Sequence, residues 1–527
     1  MKRPPFSRSI RSAGPATGLA TGLAALLLST VVLLLHPGCT DLNENPFSAV
    51  TSENFYQSEA DYFTGLAGVY AQTRSVMWNY FNLSEVSSDE AIVPTRGTDW
   101  ADGGRWIAMH RHSWDANLTD LNGAWNDAFT GVARANELLK ALESATFGGK
   151  DQIAAEARFL RAYFYYQLMD FFGGVPVVTE ADIPVDQTDP PAASSRQEVF
   201  AFIEQELLSV REQLPSRFNA TDYGRATQGA ADALLASLYV NAEVFTGTVT
   251  ASGLQRGTPM WEQAIQAADR ILNSGQYQLA ADWFSNFTPD NHNSPELIYV
   301  IGNVAQPDLG NTLPMRTLHY GQLEEGPWNG FATLAETYNA FDQDDLREGM
   351  WLAGPASSFE DGSPVNIRNS SERLVFSPQI ADISSATEAE GVRFNKYYPD
   401  LENSGGQHGN DFVIFRLAEI YLIKAEALNE LGRTAEAVAL VNFIRERAFD
   451  PDKPITAADQ ASVREAILHE RLYELAFEGK RRQDLIRSGK FAEQWSHKSN
   501  TDPYRVLFPI PQLQLGANPK LMQNPGY

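Results

Sequence analysis

The side chains able to do chemistry are spread along the chain, and each familiar arrangement lacks a partner. His469-Glu470-Arg471-Leu472-Tyr473 starts as a zinc-binding helix would, but Tyr473 stands one turn on, where a second imidazole must face the metal. Asp342, Asp344 and Asp345 are similar to the start of a calcium loop. Arg347 occupies the place where that loop needs glycine, so the cluster reads as helix-capping and salt-bridging carboxylates. His110 and His112 lie near Trp106 and Trp114 with no recognisable third ligand, and no metal is expected there. There is no Gly-x-Ser-x-Gly elbow, no Walker A loop and no Gly-x-Gly-x-x-Gly turn. No catalytic residue and no cofactor site is therefore assigned, and the reading is of a non-enzyme.

Composition narrows the partners. The 527 residues carry 41 Lys+Arg against 66 Asp+Glu, a net charge of −25, and so acidic a surface repels phosphate backbones, so nucleic acid is excluded as a partner. The single cysteine, Cys39, rules out an intramolecular disulfide and any multi-cysteine metal site. Upstream of it, Lys2, Arg3, Arg8 and Arg11 precede an apolar run from Leu19 to Leu35, the layout of an export signal over residues 1–38. Gly38-Cys39 resembles a bacterial lipobox, which makes Cys39 the expected lipidation site and the lipid the chain's contact with a membrane.

The elements that must hold any site are mostly helical. Thr51–Ala71 is predicted as a helix, Met77–Asp115 as long aromatic-rich loops with Gly97, Gly103 and Gly104, and Leu121–Thr246 as a run of helices. Within that run, the apolar residues around Phe159–Phe171 on most sides of one helix predict burial between neighbours. A further helix is expected over Trp261–Ser274. Residues 282–410 read as loop-rich, with short β-like pieces such as ELIYVIG and RLVFSPQI, and regular helices return at Val413. There, helix, Leu-Gly turn and helix with Thr434 as N-cap look like a tetratricopeptide unit, with a weaker copy over Ala230–Leu279. The fold class expected is mainly α: tetratricopeptide-like helical pairs with an irregular, loop-rich ligand-binding region. The divisions read are an N-terminal helical region, 39–245, and a C-terminal region, 246–527, carrying the loop-rich insertion.

Four separated stretches resemble the SusD/RagB family of outer-membrane nutrient-binding lipoproteins: CTDLNENP at 39–46 with ENFY and LAGVYA after it, AEARFLRAYFYYQLMDFFGGVPVV at 155–178, the pair FRLAEIYLIKAEALNELG and ILHERLYELAFEGKRRQDLIRSG at 415–432 and 467–489, and FPIPQLQLGANPKLMQNPGY at 508–527. Arg482 departs from the family, which commonly has an aromatic residue there. The resemblance implies four tetratricopeptide-like pairs and a place on the external leaflet of the cell outer membrane. It also implies partnership with a SusC-like TonB-dependent transporter and capture, without hydrolysis, of an oligosaccharide or polysaccharide. RagB-like members handle peptides, and a tetratricopeptide-type assembly scaffold is a further alternative. Read from the residues alone, Arg471, Glu474, Glu478 and Arg481 lie at three- and four-residue spacing and are expected to pair along one stripe. Pro509, Pro511, Pro519 and Pro525 predict an extended C-terminal tail.

A neutral sugar presents hydroxyls and weakly apolar C–H faces, so its binder needs exposed rings flanked by hydrogen-bonding side chains. The residues expected to bind, all assigned to loops, are Trp78, Asn79 and Tyr80, then Trp100, Asp102, Arg105 and Trp106, and finally Trp328 and Asn329 in EEGPWNG.

Overall fold

The first long helix, α1 (Glu59–Val86), starts where the Asp61 carboxylate accepts the Ser58 backbone N–H at 2.6 Å. It then runs through the stretch expected to be loop. Leu66, Val69, Val76, Met77 and Phe81 are all buried at helical spacing, and this packing overrides the weak helix preference of the Trp-Asn-Tyr-Phe-Asn segment. In this computed structural model the described residues are 55–181, 189–402, 405–456 and 459–527; Cys39 and the export segment lie outside them.

After β1 (Ala91–Ile92) come α2 (Arg105–His110), α3 (Thr119–Glu143), α4 (Lys150–Phe172), α5 (Arg196–Val210), α6 (Gln228–Val240) and the single turn α7 (Ala242–Phe245). A hairpin, β2 (Thr248–Thr250) and β3 (Gly253–Gln255), leads to α8 (Trp261–Leu272). The loop-rich stretch holds β4 (Leu297–Ile301), α9 (Leu313–Thr317), β5 (Ala332–Thr333), α10 (Ala335–Ala340), β6 (Trp351–Leu352), β7 (Gly354–Pro355), β8 (Val375–Phe376) and β9 (Arg393–Phe394). It ends at β10 (Phe412–Arg416), followed by α11 (Leu417–Glu430), α12 (Thr434–Arg445), α13 (Gln460–Leu475), α14 (Arg481–Ser488) and α15 (Gln512–Ala517). Among the described residues no helix is long and apolar enough to cross a membrane.

Helix packs on helix through most of Tyr56–Tyr527, which forms one compact unit. As expected, α4 is enclosed, lying against α1, α3 and α5, with every residue from Phe159 to Phe172 buried. Its approach to α3 is close enough to need glycine, since a Cβ on Gly131 would stand 2.4 Å from the Phe164 ring. The pair α11–α12 and the pair α6–α8, the latter with the hairpin between its members, join where α8 meets α11. The expected scaffold of tetratricopeptide-like pairs is thus present.

Several boundaries differ from expectation. Val413 opens no helix: Phe412–Arg416 is a fully buried strand antiparallel to β4, and a continuous aromatic and β-branched run suits that position. Thr434 is the first residue of α12 and not its cap, because its hydroxyl bonds Asn429 Oδ1 at 3.1 Å while Arg433 occupies the cap position. Of RLVFSPQI, two residues form strand β8. The proline-rich tail includes the short helix α15, begun after Pro511 and ended before Pro519.

Arg471, Glu474, Glu478 and Arg481 do not pair with one another. Helix α13 stops at Leu475, and Phe477 and Gly479 take φ of +64° and +76°, which turns the later side chains away from the earlier ones. Glu474 instead accepts from Arg416 at 2.5 Å, from Arg347 at 2.7 Å and from Arg447. Arg416 also binds Glu296 at 2.8 Å and Glu478 at 2.8 and 2.9 Å. The result is a buried charge network that ties β4, β10, α12 and α13 into one support for the loop-rich part. The carboxylates at 342–345 do as expected: Asp342 and Asp344 pair with Lys453, and Asp345 caps the turn at Arg347.

Candidate functional site

Trp328 is held at the surface through its backbone. Its N–H donates to Met315 O at 2.6 Å, the Asn329 N–H to Leu318 O at 2.8 Å, and the Gly330 N–H to Arg316 O at 2.9 Å, so the EEGPWNG loop lies along α9. Beneath it, two buried guanidiniums fix the chain. Arg96 Nη1 donates to the carbonyls of Asn329 and Gly330 at 2.9 and 3.0 Å, and Arg393 binds Asn329 Oδ1 at 2.7 and 2.9 Å. Trp328 is 41% exposed.

Trp100 arrives from the other region and lies over this backbone. Its indole N–H donates to Trp328 O at 2.6 Å, and the two ring centroids are 6.5 Å apart. The approach requires Gly330, where a Cβ would come within 2.3 Å of the Trp100 ring. Trp100 has φ +59°, Asp102 +35° and Asn329 +50°. A left-handed backbone is unusual for a bulky residue such as tryptophan, and such strain persists where the surroundings enforce it.

Behind Trp100 the Trp106 ring packs edge-on at 5.4 Å and closes on Phe331 at 5.7 Å. The Trp106 indole N–H binds Asp102 at 2.7 Å, and the Arg105 guanidinium lies 4.2 Å from the Trp106 ring while bonding Asp120 at 3.0 Å. Asp102 and Arg105 remain partly exposed at the rim. On the next side Arg316 covers Trp78 at 3.9 Å and donates to Asn82 at 3.1 Å. Burial and the neighbouring Arg105 charge bring the Arg316 guanidinium down to about 10. Tyr320, Asp99 and Arg368 complete the edge: the Tyr320 hydroxyl donates to Asp99, and Arg368 stacks 4.1 Å from the Tyr320 ring while pairing with Asp99 at 3.1 Å.

The structure therefore gathers Trp78, Trp100, Asp102, Arg105 and Trp328 into one surface of rings and polar groups. It corrects other assignments. Trp78, Asn79 and Tyr80 are on α1, and Arg105 and Trp106 on α2, rather than in loops. Asn79 turns toward α3 and bonds Asp127 at 2.6 Å, and Tyr80 turns inward to stack on Phe171 at 5.2 Å. Trp106 is 1% and Asn329 0% exposed, so they support the surface and do not form it. Arg316, Tyr320 and Arg368 were missed. Arg316 lies in α9, a short helix that no periodicity marks, and Tyr320 just past its end; Arg368 has no local sequence signal, and Asp99, although next to Trp100, was missed as well.

His110 and His112 do not converge on a common point. His110 Nε2 meets Ser496 O at 2.9 Å and His112 Nε2 meets Ser87 O at 2.7 Å. Burial lowers His110 to about 4 and depresses His112 as well, which keeps both neutral. Arg482, where an aromatic residue was expected, is enclosed by Phe171, Phe491 and Phe508 and bonds Asp170 at 2.9 Å.

Residues 255–527 match the model of the SusD family, and residues 43–240 match a second model described as "Starch-binding associating with outer membrane". The chain is similar to a SusD-like protein of Formosa agariphila, 28% identical over 540 residues that cover 94% of this chain and 98% of the relative. It is 24% identical to the Starch-binding protein SusD of Bacteroides thetaiotaomicron, with 88% and 86% of the two chains covered. A solved structure titled "Laminarin binding SusD-like protein" superposes with a TM-score of 0.71 at 23% identity over 90% of this chain and 100% of that one, a likeness of fold. Since the first model alone spans over half of the sequence, and full-length relatives carry the same name, the chain belongs to the SusD family.

Proposed function

We propose that the protein captures oligosaccharide or polysaccharide at the surface built on Trp328, Trp100 and Trp78, with Asp102 and Arg105 as polar partners, and leaves its covalent structure intact. The observation that carries this reading is the Trp100–Trp328 pair. One indole is exposed on a loop pinned by buried guanidiniums, and the other is held beside it by a strained backbone. A ring fixed before the ligand arrives loses little freedom on stacking, and each such contact is worth roughly 0.5–1.5 kcal/mol, so several together give useful affinity. The names of the starch- and laminarin-binding relatives support the same chemistry.

With the export segment and Cys39, the reading extends to a lipid-anchored protein on the external face of the cell outer membrane that delivers its cargo to a SusC-like TonB-dependent transporter. The test is a titration of the purified protein with a panel of polysaccharides and peptides, following tryptophan fluorescence and assaying for released products. Saturable saccharide binding without product, weakened roughly 2- to 10-fold in Trp328→Ala, is expected. Peptide-only binding overturns the cargo, and product release overturns capture without cleavage.

A further inference from the structure

The Trp78 indole ends a stripe on α1. Phe63, Ala67, Tyr70 and Arg74 precede it at three- and four-residue steps and share its face of the helix. A cleft of about 390 Å³ lies along them, lined across from α1 by Tyr223–Arg225 and by the end of β4 at Val300–Gly302. Beyond Tyr223 a second cleft of about 460 Å³ follows, with Phe218, Asn219, Tyr277, His292 and Asn293 in its lining. Tyr223, Gly224, Arg225 and Val300 line both, so the two clefts meet at Tyr223.

The wall of this groove is anchored. Arg225 binds Glu156 at 2.6 and 3.0 Å and Asp222 at 2.6 Å, while its guanidinium lies 4.6 Å from Phe218 and 5.5 Å from Phe63. The Tyr223 hydroxyl is tied to Asp411, yet its residue is 40% exposed, as Phe63 is at 39%. Arg74 gives one Nη to Gly302 O at 2.5 Å and leaves Nε buried with no partner. The groove begins at Arg74, one helical turn from Trp78, and offers exposed rings at Phe63 and Tyr223 and amides in the second cleft, the kinds of group that make up the tryptophan surface.

We propose that the ligand surface continues from the tryptophans along α1 into this groove, so that the protein binds one extended polysaccharide strand across both. This rests on the glycan reading above. Phe63 to Trp78 spans about 22 Å of helix at roughly 1.5 Å per residue, a length that a short oligosaccharide at the tryptophans leaves unused. The exposed rings of Phe63 and Tyr223 suit C–H faces, and the amides of Asn219, Gln276 and Asn293 in the second cleft suit hydroxyls.

The experiment is isothermal titration of the purified protein with the polysaccharide bound in the panel above and with its hydrolysate fractionated by length. Trp328→Ala is expected to weaken every length. Tyr223→Ala and Phe63→Ala are expected to weaken only the longest fragments, by about 3- to 10-fold, and to leave short-fragment affinity unchanged. Unchanged long-fragment affinity in both groove variants overturns the track and leaves the tryptophan site standing. No saccharide binding at all, or none sensitive to Trp328→Ala, overturns both, and a groove that takes extended peptides in place of glycan overturns the ligand assigned to it.

Discussion

At Trp100 three constraints meet: a left-handed backbone, an indole N–H committed to the Trp328 carbonyl, and a glycine beneath the ring. Gly330→Val adds atoms where the Trp100 ring now lies, so the ring must leave. The expected outcome is loss of saccharide binding at least as large as in Trp328→Ala, with a stability cost of about 1–3 kcal/mol for overpacking, read by titration and denaturation together. A second residue-scale consequence concerns Glu85 and Glu90, buried side by side at the end of α1. Their carboxylates accept the backbone N–H groups of Gly479 and Phe477. Burial, which outweighs the nearby Lys396 charge, raises Glu85 to about 7, and burial with the neighbouring Glu85 charge raises Glu90 as well. The folded state thus holds protons that the unfolded chain releases. Its stability from this pair is full below the ordinary carboxylate pKa and falls as pH rises through about 7. Urea denaturation at about pH 5 and about pH 8 is expected to show a loss on the order of 3 kcal/mol, and Glu85→Gln to flatten it.

Among the elements, α4 and α14 are joined by a buried ion pair beside the Tyr166–Gln483 hydrogen bond. Arg482 has Asp170 as its carboxylate partner inside three phenylalanines. Asp170→Ala leaves that charge uncompensated and is expected to cost about 3–5 kcal/mol, measured by denaturant midpoint; the double change Asp170→Leu with Arg482→Phe is expected to recover most of it. The long helices were legible because their apolar spacing is sustained: α3, α4, α8 and α11 follow it. Elements whose identity depends on distant partners were not. Phe412–Arg416 is a strand because β4 lies beside it, and α1 extends to Val86 because a core receives Phe81. The site divides the same way. Aromatic composition marked Trp100 and Trp328, but which faces of α1 and α2 point outward is decided by α3, Phe171 and Phe331, so Asn79, Tyr80 and Trp106 could not be separated from Trp78 and Arg105 by type.

For the molecule as a whole, residues 39–527, with net charge −29 once Lys2, Arg3, Arg8 and Arg11 leave with the export segment, are tethered, on our reading, through Cys39 alone. Cys39→Ser is expected to move the protein from the membrane fraction to the soluble fraction with saccharide affinity unchanged, as fractionation followed by titration of both forms will show. The clasp between α1 and the Phe477–Gly479 turn has a bearing on the order of assembly. It joins positions 387 and 394 residues apart, so it closes one of the largest loops in the chain. Contacts of that separation form late, because the chain must first give up the freedom of everything between them. Trp78 sits on the helix whose end the clasp secures. A newly made chain therefore gains its helices well before it gains the finished surface proposed to bind saccharide, and in that interval its sheet edges and rings are open to other chains.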